Sequence, residues 1–166
     1  MSFFDNYNQY LQMSFEELNA LPDDQLFEAV MIRTEHKVDS NGGWKNGIDT
    51  LNPCQKVFYS LNWLNVEVDN GGLCQFFANS SRMVAPLVSE YMAIIGADDH
   101  KKLYDEFAEV NKIDLDDLSA FNFNNAQEFT KLYDLYPFDD YDNAFYELTS
   151  LEIYLTKYAR ENLMSF

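Results

Sequence analysis

Proline and glycine are scarce, with four and six residues in a chain of 166. Both interrupt regular backbone, so their scarcity leaves room for long helices. Basic residues are scarce too. Eleven Lys and Arg stand against 28 Asp and Glu, a formal net charge of −17. That charge repels phosphates and anionic lipid, which argues against direct nucleic-acid or membrane binding and favours basic partners or cations. No apolar run approaches a membrane span. The opening residues MSFFDNYNQYLQ lack the basic and apolar regions of a secretory signal, so a cytoplasmic location is expected. The two cysteines, Cys54 and Cys74, have neither metal-ligand spacing nor a disulfide framework, and reduced, partly buried thiols are expected.

Catalytic patterns are missing as well. There is no HExxH, CxxC or GxSxG motif, and no arrangement of Ser, Asp and His that names a triad. His36 and His100 stand singly near expected helix ends, His36 where a partly positive ring complements the helix dipole. Asp114, Asp116 and Asp117 bear only a faint likeness to the opening of a calcium loop, and the glycine at its sixth position and the glutamate at its twelfth are absent. The reading is therefore of a non-enzyme with no cofactor and no metal.

What is present is a core. Apolar residues make up 47% of the chain and aromatics 16%, too much for a disordered acidic tail. Ser14 and Glu17 form a capping box. Pro22-Asp23-Asp24 opens a helix that runs to about His36-Lys37 and stops before Asn41-Gly42-Gly43. Pro53 starts another, in which Val57, Leu61, Leu64 and Val68 recur on one face. A fourth carries Val84, Leu87, Val88, Tyr91, Ile94 and Ile95 and ends at Gly96. A fifth begins near Asp98 and includes Leu103, Phe107 and Val110. Residues 113–125 read as a loop with short turns, followed by a helix over roughly 125–135 that ends before Pro137. The last helix is expected to be the longest, with Ala144, Leu148, Leu151, Leu155 and Tyr158 as its stripe. No composition shift marks a second domain. The expectation is an all-α, single-domain bundle of about six to eight helices.

The stretch VEVDNGGLCQFFANSS (66–81) is the least ordinary. Asn70-Gly71-Gly72 suits a helix stop, because Asn and Gly tolerate the left-handed region. A phosphate cradle would need a longer Gly-rich loop with Lys or Ser/Thr, and here Glu67 and Asp69 would repel phosphate. Gln75 and Asn79 lie four apart and share a helical face. With Glu67 and Asn70 they would form a polar network satisfying the backbone at a corner. The alternative is that these four line a small-molecule pocket of a binding protein or an enzyme. The absence of a nucleophile–base pair favours the structural version.

Acidic residues concentrate downstream. Residues 98–152 hold 15 Asp and Glu against four Lys, a net of −11. Asp23-Asp24, Asp98-Asp99 and Asp139-Asp140 fall at expected helix N-termini, where carboxylates are worth roughly 0.3–1 kcal/mol each. That leaves Asp105, Glu106, Glu109, Asp114, Asp116, Asp117, Asp134 and Asp142 without such a reason. Like charges at helical spacing cost stability. Their retention points either to a surface potential with a role or to solubility.

VFYSLNWLNVEVDNGGLCQFFANSS, followed by APLVSEYMAIIGA, resembles the signature of the DNA-mimic protein 19 family of small acidic bacterial helical proteins. Glu67, Val68, Asn70, Gly71, Gly72, Gln75, Phe76, Phe77 and Asn79 match the motif, while Leu73 stands where an aromatic is usual. The tail FDDYDNAFYELTSLEIYLTKYARENLMSF resembles the family's closing helix, so the likeness covers roughly residues 50–166. The resemblance implies an all-α fold and an acidic homodimer that occupies the DNA-binding surface of a basic DNA-binding protein such as a transcription factor. Asp105, Glu106, Glu109, Asp114, Asp116, Asp117, Asp134, Asp139, Asp140 and Asp142 are the acids expected to face such a partner. Glu67, Asn70, Gly71, Gly72, Gln75, Phe76, Phe77 and Asn79 are expected to be structural, with the two Phe as anchors. A third reading is an immunity-type or scaffold protein with an unrelated partner.

Overall fold

The computed structural model describes residues 3–166, and these form ten α-helices joined by short 3₁₀ turns, with no strand among the described residues. The all-α expectation holds, with more helices than expected because several are only one or two turns long. They are α1 (Phe3–Gln12), α2 (Phe15–Asn19), α3 (Asp23–Asp39), α4 (Gly43–Asn46), α5 (Pro53–Ala78), α6 (Ala85–Ile95), α7 (Asp98–Val110), α8 (Ala126–Tyr133), α9 (Phe138–Glu147) and α10 (Leu151–Glu161). The chain packs as two compact units, Met1–Asn62 with Glu152–Phe166, and Trp63–Leu151.

In the first unit, Ser14 caps α2 in a complete capping box. Its hydroxyl accepts from the Glu17 amide, and the Glu17 carboxylate accepts from the Ser14 amide at 2.7 Å. α3 packs on α1 and α2 and buries Leu26, Ala29, Val30 and Ile32 completely. Two arginines tie distant segments to free carbonyls. Arg33 donates to the Tyr10, Met13 and Phe166 carbonyls. Arg160 donates to those of Asn19 and Leu21 and pairs with Asp23. Cys54 is half-buried and free.

The second unit is built on aromatics. Phe77, fully buried, contacts Phe76, Tyr104, Phe121 and Phe138. Phe107 adds contacts to Phe138 and Tyr141. Such pairs add roughly 0.5–1.5 kcal/mol each beyond their area. α7 packs on both α6 and α9. α7 ends with Lys112 at φ 54, while the Ile113 amide reaches back to the Ala108 carbonyl at 2.9 Å.

Three expectations are corrected here. The longest helix is α5, not the last one: the stripe from Ala144 to Tyr158 is split between α9 and α10, with Leu148 extended at ψ 164. Thr149 and Ser150 lie in that break, and their short polar side chains compete with helical hydrogen bonding. On α6, Leu87 and Ile94 are exposed although apolar, because the helix is apolar nearly all round and only one face is covered. Val110, expected inside, is 77% exposed.

Candidate functional site

α5 is helical on both sides of a break at Gly71 (φ −165, ψ 22) and Gly72 (φ 77, ψ 178). The break is a joint, as the residue types imply, but only Gly72 needs a glycine conformation. A Cβ on Gly72 would lie 2.0 Å from Asp142 Oδ2, a second reason for glycine there. Helix resumes at once, so Asn70-Gly71-Gly72 redirects α5 rather than ending it.

Glu67, 5% exposed, is the hub of the polar corner. Its Oε2 accepts from Gln75 Nε2 at 2.7 Å and from Asn79 Nδ2 at 2.8 Å, and its Oε1 accepts from Ser81 Oγ at 2.9 Å. The i,i+4 spacing of Gln75 and Asn79 brings both amides to one oxygen. Three donors compensate the burial of one carboxylate. The expected network is thus present with two corrections. Asn70 is exposed and outside it, and Ser81 takes the remaining oxygen. The network also leaves the joint's backbone to another residue. The first amide of the resumed helix, Leu73 N, donates to Asp142 Oδ1 at 2.9 Å.

Asp142 is therefore not a surface acid. It is 7% exposed and caps a helix 69 residues away in sequence. The periodicity of α9 turns it inward with Phe138, Tyr141 and Phe145, all buried. One turn further along α9, Tyr146 donates its hydroxyl to the Val68 carbonyl at 2.6 Å. α9 thus holds both sides of the break. Burial pushes the Asp142 carboxyl above the ordinary aspartate range, with Asp139 adding to this, while the Leu73 amide and the Tyr133 hydroxyl oppose it. Burial likewise raises Asp69. The Cys74 thiol, buried beneath the joint's sequence, is pushed up to about 12 by burial and by Asp142, so it stays protonated and inert.

Beside the joint lies an open groove of about 380 Å³ whose lining includes Asp69, Gly71, Gly72, Tyr133, Asp142 and Tyr146. Of the four polar-corner residues Asn70 lines this groove, whereas Glu67, Gln75 and Asn79 do not. A neighbouring concavity of about 330 Å³ shares Tyr133 and Asp139 with the groove and adds Asp134, Tyr136 and Asp140. Sequence reasoning missed both tyrosines and Asp69. The only available signal was their nearness in sequence to acids already singled out.

The other expected partner-facing acids fall into three groups. Asp105 is half-buried and held by Lys101 and Ser89, and Glu106 pairs with Lys102 at 3.7 Å. Asp114 and Asp117 are exposed but accept from the Asp116 and Ser119 amides, so they shape the loop between α7 and α8. Glu109, Asp116, Asp134, Asp139 and Asp140 are exposed, and none makes an ion pair among the described residues. The unit Trp63–Leu151 carries 17 acidic residues against five basic ones, −12 of the total −17. Among the described residues no group of three His, Cys, Asp or Glu side chains converges to hold a metal ion, and no helix is long and apolar enough to cross a membrane.

Comparison with curated proteins and with solved structures gives no match. The family model for DMP19-like proteins matches residues 49–162, which takes in the joint, the polar corner and the whole acidic segment. The chain belongs to the DMP19-like family.

Proposed function

We propose that this protein is an acidic interaction module that occupies the basic DNA-binding surface of a transcription factor or another DNA-binding protein. The observation that carries the reading is the charge of the unit Trp63–Leu151, −12, with Glu109, Asp116, Asp134, Asp139 and Asp140 exposed and in no ion pair among the described residues. A DNA-reading face is built to meet closely spaced phosphates and to gain from counterion release. Carboxylates at helical i,i+3 and i,i+4 spacing, roughly 5–6 Å apart, offer a protein substitute for that charge. Membership of the DMP19-like family supports the same reading, which is of a binding protein acting as a homodimer in the cytoplasm rather than an enzyme.

The test is retention of native-lysate proteins on the immobilised chain at low salt, followed by elution with duplex DNA. Expected are DNA-binding proteins that leave the column with duplex DNA or with added salt. If no such protein is retained, or if neither duplex DNA nor salt displaces it, the reading fails.

A further inference from the structure

We propose that the solvent face of α6 docks an amphipathic helix of the partner, one whose apolar stripe lies between lysine or arginine ends. That the helix belongs to a DNA-binding protein rests on the function proposed above, whereas the character of the helix rests on the face itself.

α6 is apolar on two sides and covered on one. Ala85, Val88, Met92 and Ile95 are buried, and α7 packs on the helix. On the other side Leu87 is 39% exposed and Ile94 48%, with Tyr91 half-buried between them and Pro86 and Ala93 exposed beside them. Steps of four and three residues set Leu87, Tyr91 and Ile94 in one stripe, and Met83, 47% exposed in the turn before α6, leads into it. A contiguous apolar patch on a charged chain marks a contact surface. This spacing is the one by which a docked helix is gripped.

Charge selects the occupant. Glu90 is the single charged residue of α6. At the Met83 end, a groove of about 330 Å³ is lined by Met83, Pro86 and Leu115 together with Asp116 and Asp117. At the Ile94 end, exposed Asp98 and Asp99 open α7 beside the partly negative C-terminus of α6. None of these five carboxylates makes an ion pair among the described residues. The groove's own cation, Arg82, is half-buried and donates to the Phe77 and Leu118 carbonyls and to Asn122 Oδ1. A second copy of the chain fits poorly. Packed antiparallel it would set Asp116-Asp117 against Asp98-Asp99, and packed parallel it would set each pair against itself. A helix with basic ends and an apolar middle is complementary along the whole face. It also adds a contact that carboxylates alone do not supply, since salt screens charge but not apolar burial.

The test is amide NMR of the full chain, titrated at physiological salt with a synthetic helical peptide carrying a leucine stripe between lysine ends. The controls are a scrambled peptide of the same composition and the same stripe with glutamate ends. Expected are saturable shifts over residues 83–95, with both controls at least about tenfold weaker. Leu87→Gln with Ile94→Gln replaces exposed side chains by good helix formers, so folding is kept, and should weaken the lysine-ended peptide about tenfold. Glu90→Gln with Asp116→Asn should weaken it several-fold. Shifts centred away from α6, equal binding of the scrambled peptide, or unchanged affinity after Leu87→Gln with Ile94→Gln would overturn the face as the site. Equal binding of the glutamate-ended peptide would overturn the basic ends. A chain that sediments as a dimer, and as a monomer with Leu87→Gln and Ile94→Gln in place, would make a second copy the occupant and overturn the proposal. If the peptide docks on α6 but the lysate column retains no DNA-binding protein, the docked helix stands and a DNA-binding protein falls as its source. If the column holds the same DNA-binding proteins to the same salt with and without Leu87→Gln and Ile94→Gln, the proposed function stands and the docking falls.

Discussion

Two adjacent glycines that look interchangeable in the sequence have different reasons to be there. At Gly71 the backbone is extended, and an added Cβ would meet the Gln75 side chain, Oε1 at 2.1 Å and Cβ at 3.2 Å, so Gln75 must shift and loosen its bond to Glu67. At Gly72 the backbone is in a region nearly reserved for glycine, and a Cβ would strike Asp142. Gly72→Ala is therefore expected to cost at least about 2 kcal/mol in urea unfolding, and Gly71→Ala less, about 1 kcal/mol for one loosened hydrogen bond. Equal costs would contradict the joint as described. Asp142 gives a prediction in pH. Its folded-state carboxyl is raised by burial, so the folded chain holds that proton more tightly than the unfolded chain. Stability contributed by this group therefore falls as pH rises from the ordinary aspartate value through the raised one. Asp142→Asn should flatten the fall in urea midpoint in the pH range just above the ordinary aspartate value. A steeper fall in the variant would show the opposite sign. Gly72 could be read from sequence as a turn glycine, but the side chain that enforces it could not, since Asp142 lies 70 positions away.

The elements were legible where their signals are local and hidden where they depend on long-range packing. The capping box at Ser14, the start at Pro53 and the stop at Gly96 are each set by a few neighbouring residues, and each appears where those residues put it. The division between α9 and α10 was not legible, because the apolar stripe from Ala144 to Tyr158 keeps its spacing across Thr149 and Ser150. The end of α7 was hidden too, since Lys112 rather than glycine takes the left-handed position. That choice costs stability, so Lys112→Gly should raise the unfolding free energy by roughly 0.5–1 kcal/mol. No gain in the urea midpoint would argue against the left-handed end. The joint's second half depends on the corner network. Glu67→Ala would leave the Gln75, Asn79 and Ser81 donors without their acceptor and is expected to cost about 3 kcal/mol in urea unfolding. The i,i+4 pair Gln75–Asn79 showed this face in the sequence, whereas Ser81, beyond the end of α5, did not.

At the scale of the whole chain, the charge was legible and its distribution only in part. The acidic run was visible as a stretch of sequence, but sequence could not tell which of its members are spent on caps and ion pairs. Asp142 turned out to be inside, and Asp105 and Glu106 to be held by lysines. A net charge of −17 also opposes compaction. Added salt screens that repulsion, so the melting temperature should rise by a few degrees between low and physiological ionic strength. A melting temperature indifferent to salt would mean that the charge is already balanced by geometry.

α9 grips α5 at Val68 with Tyr146 and at Leu73 with Asp142, two side chains four apart on one face. It works as a splint across a broken rod. The Leu73 amide has its acceptor only while that splint is in place, because no preceding helical turn continues through the break. Its exchange with solvent deuterium is therefore a built-in gauge of α9 seating, readable without any label, partner or ligand.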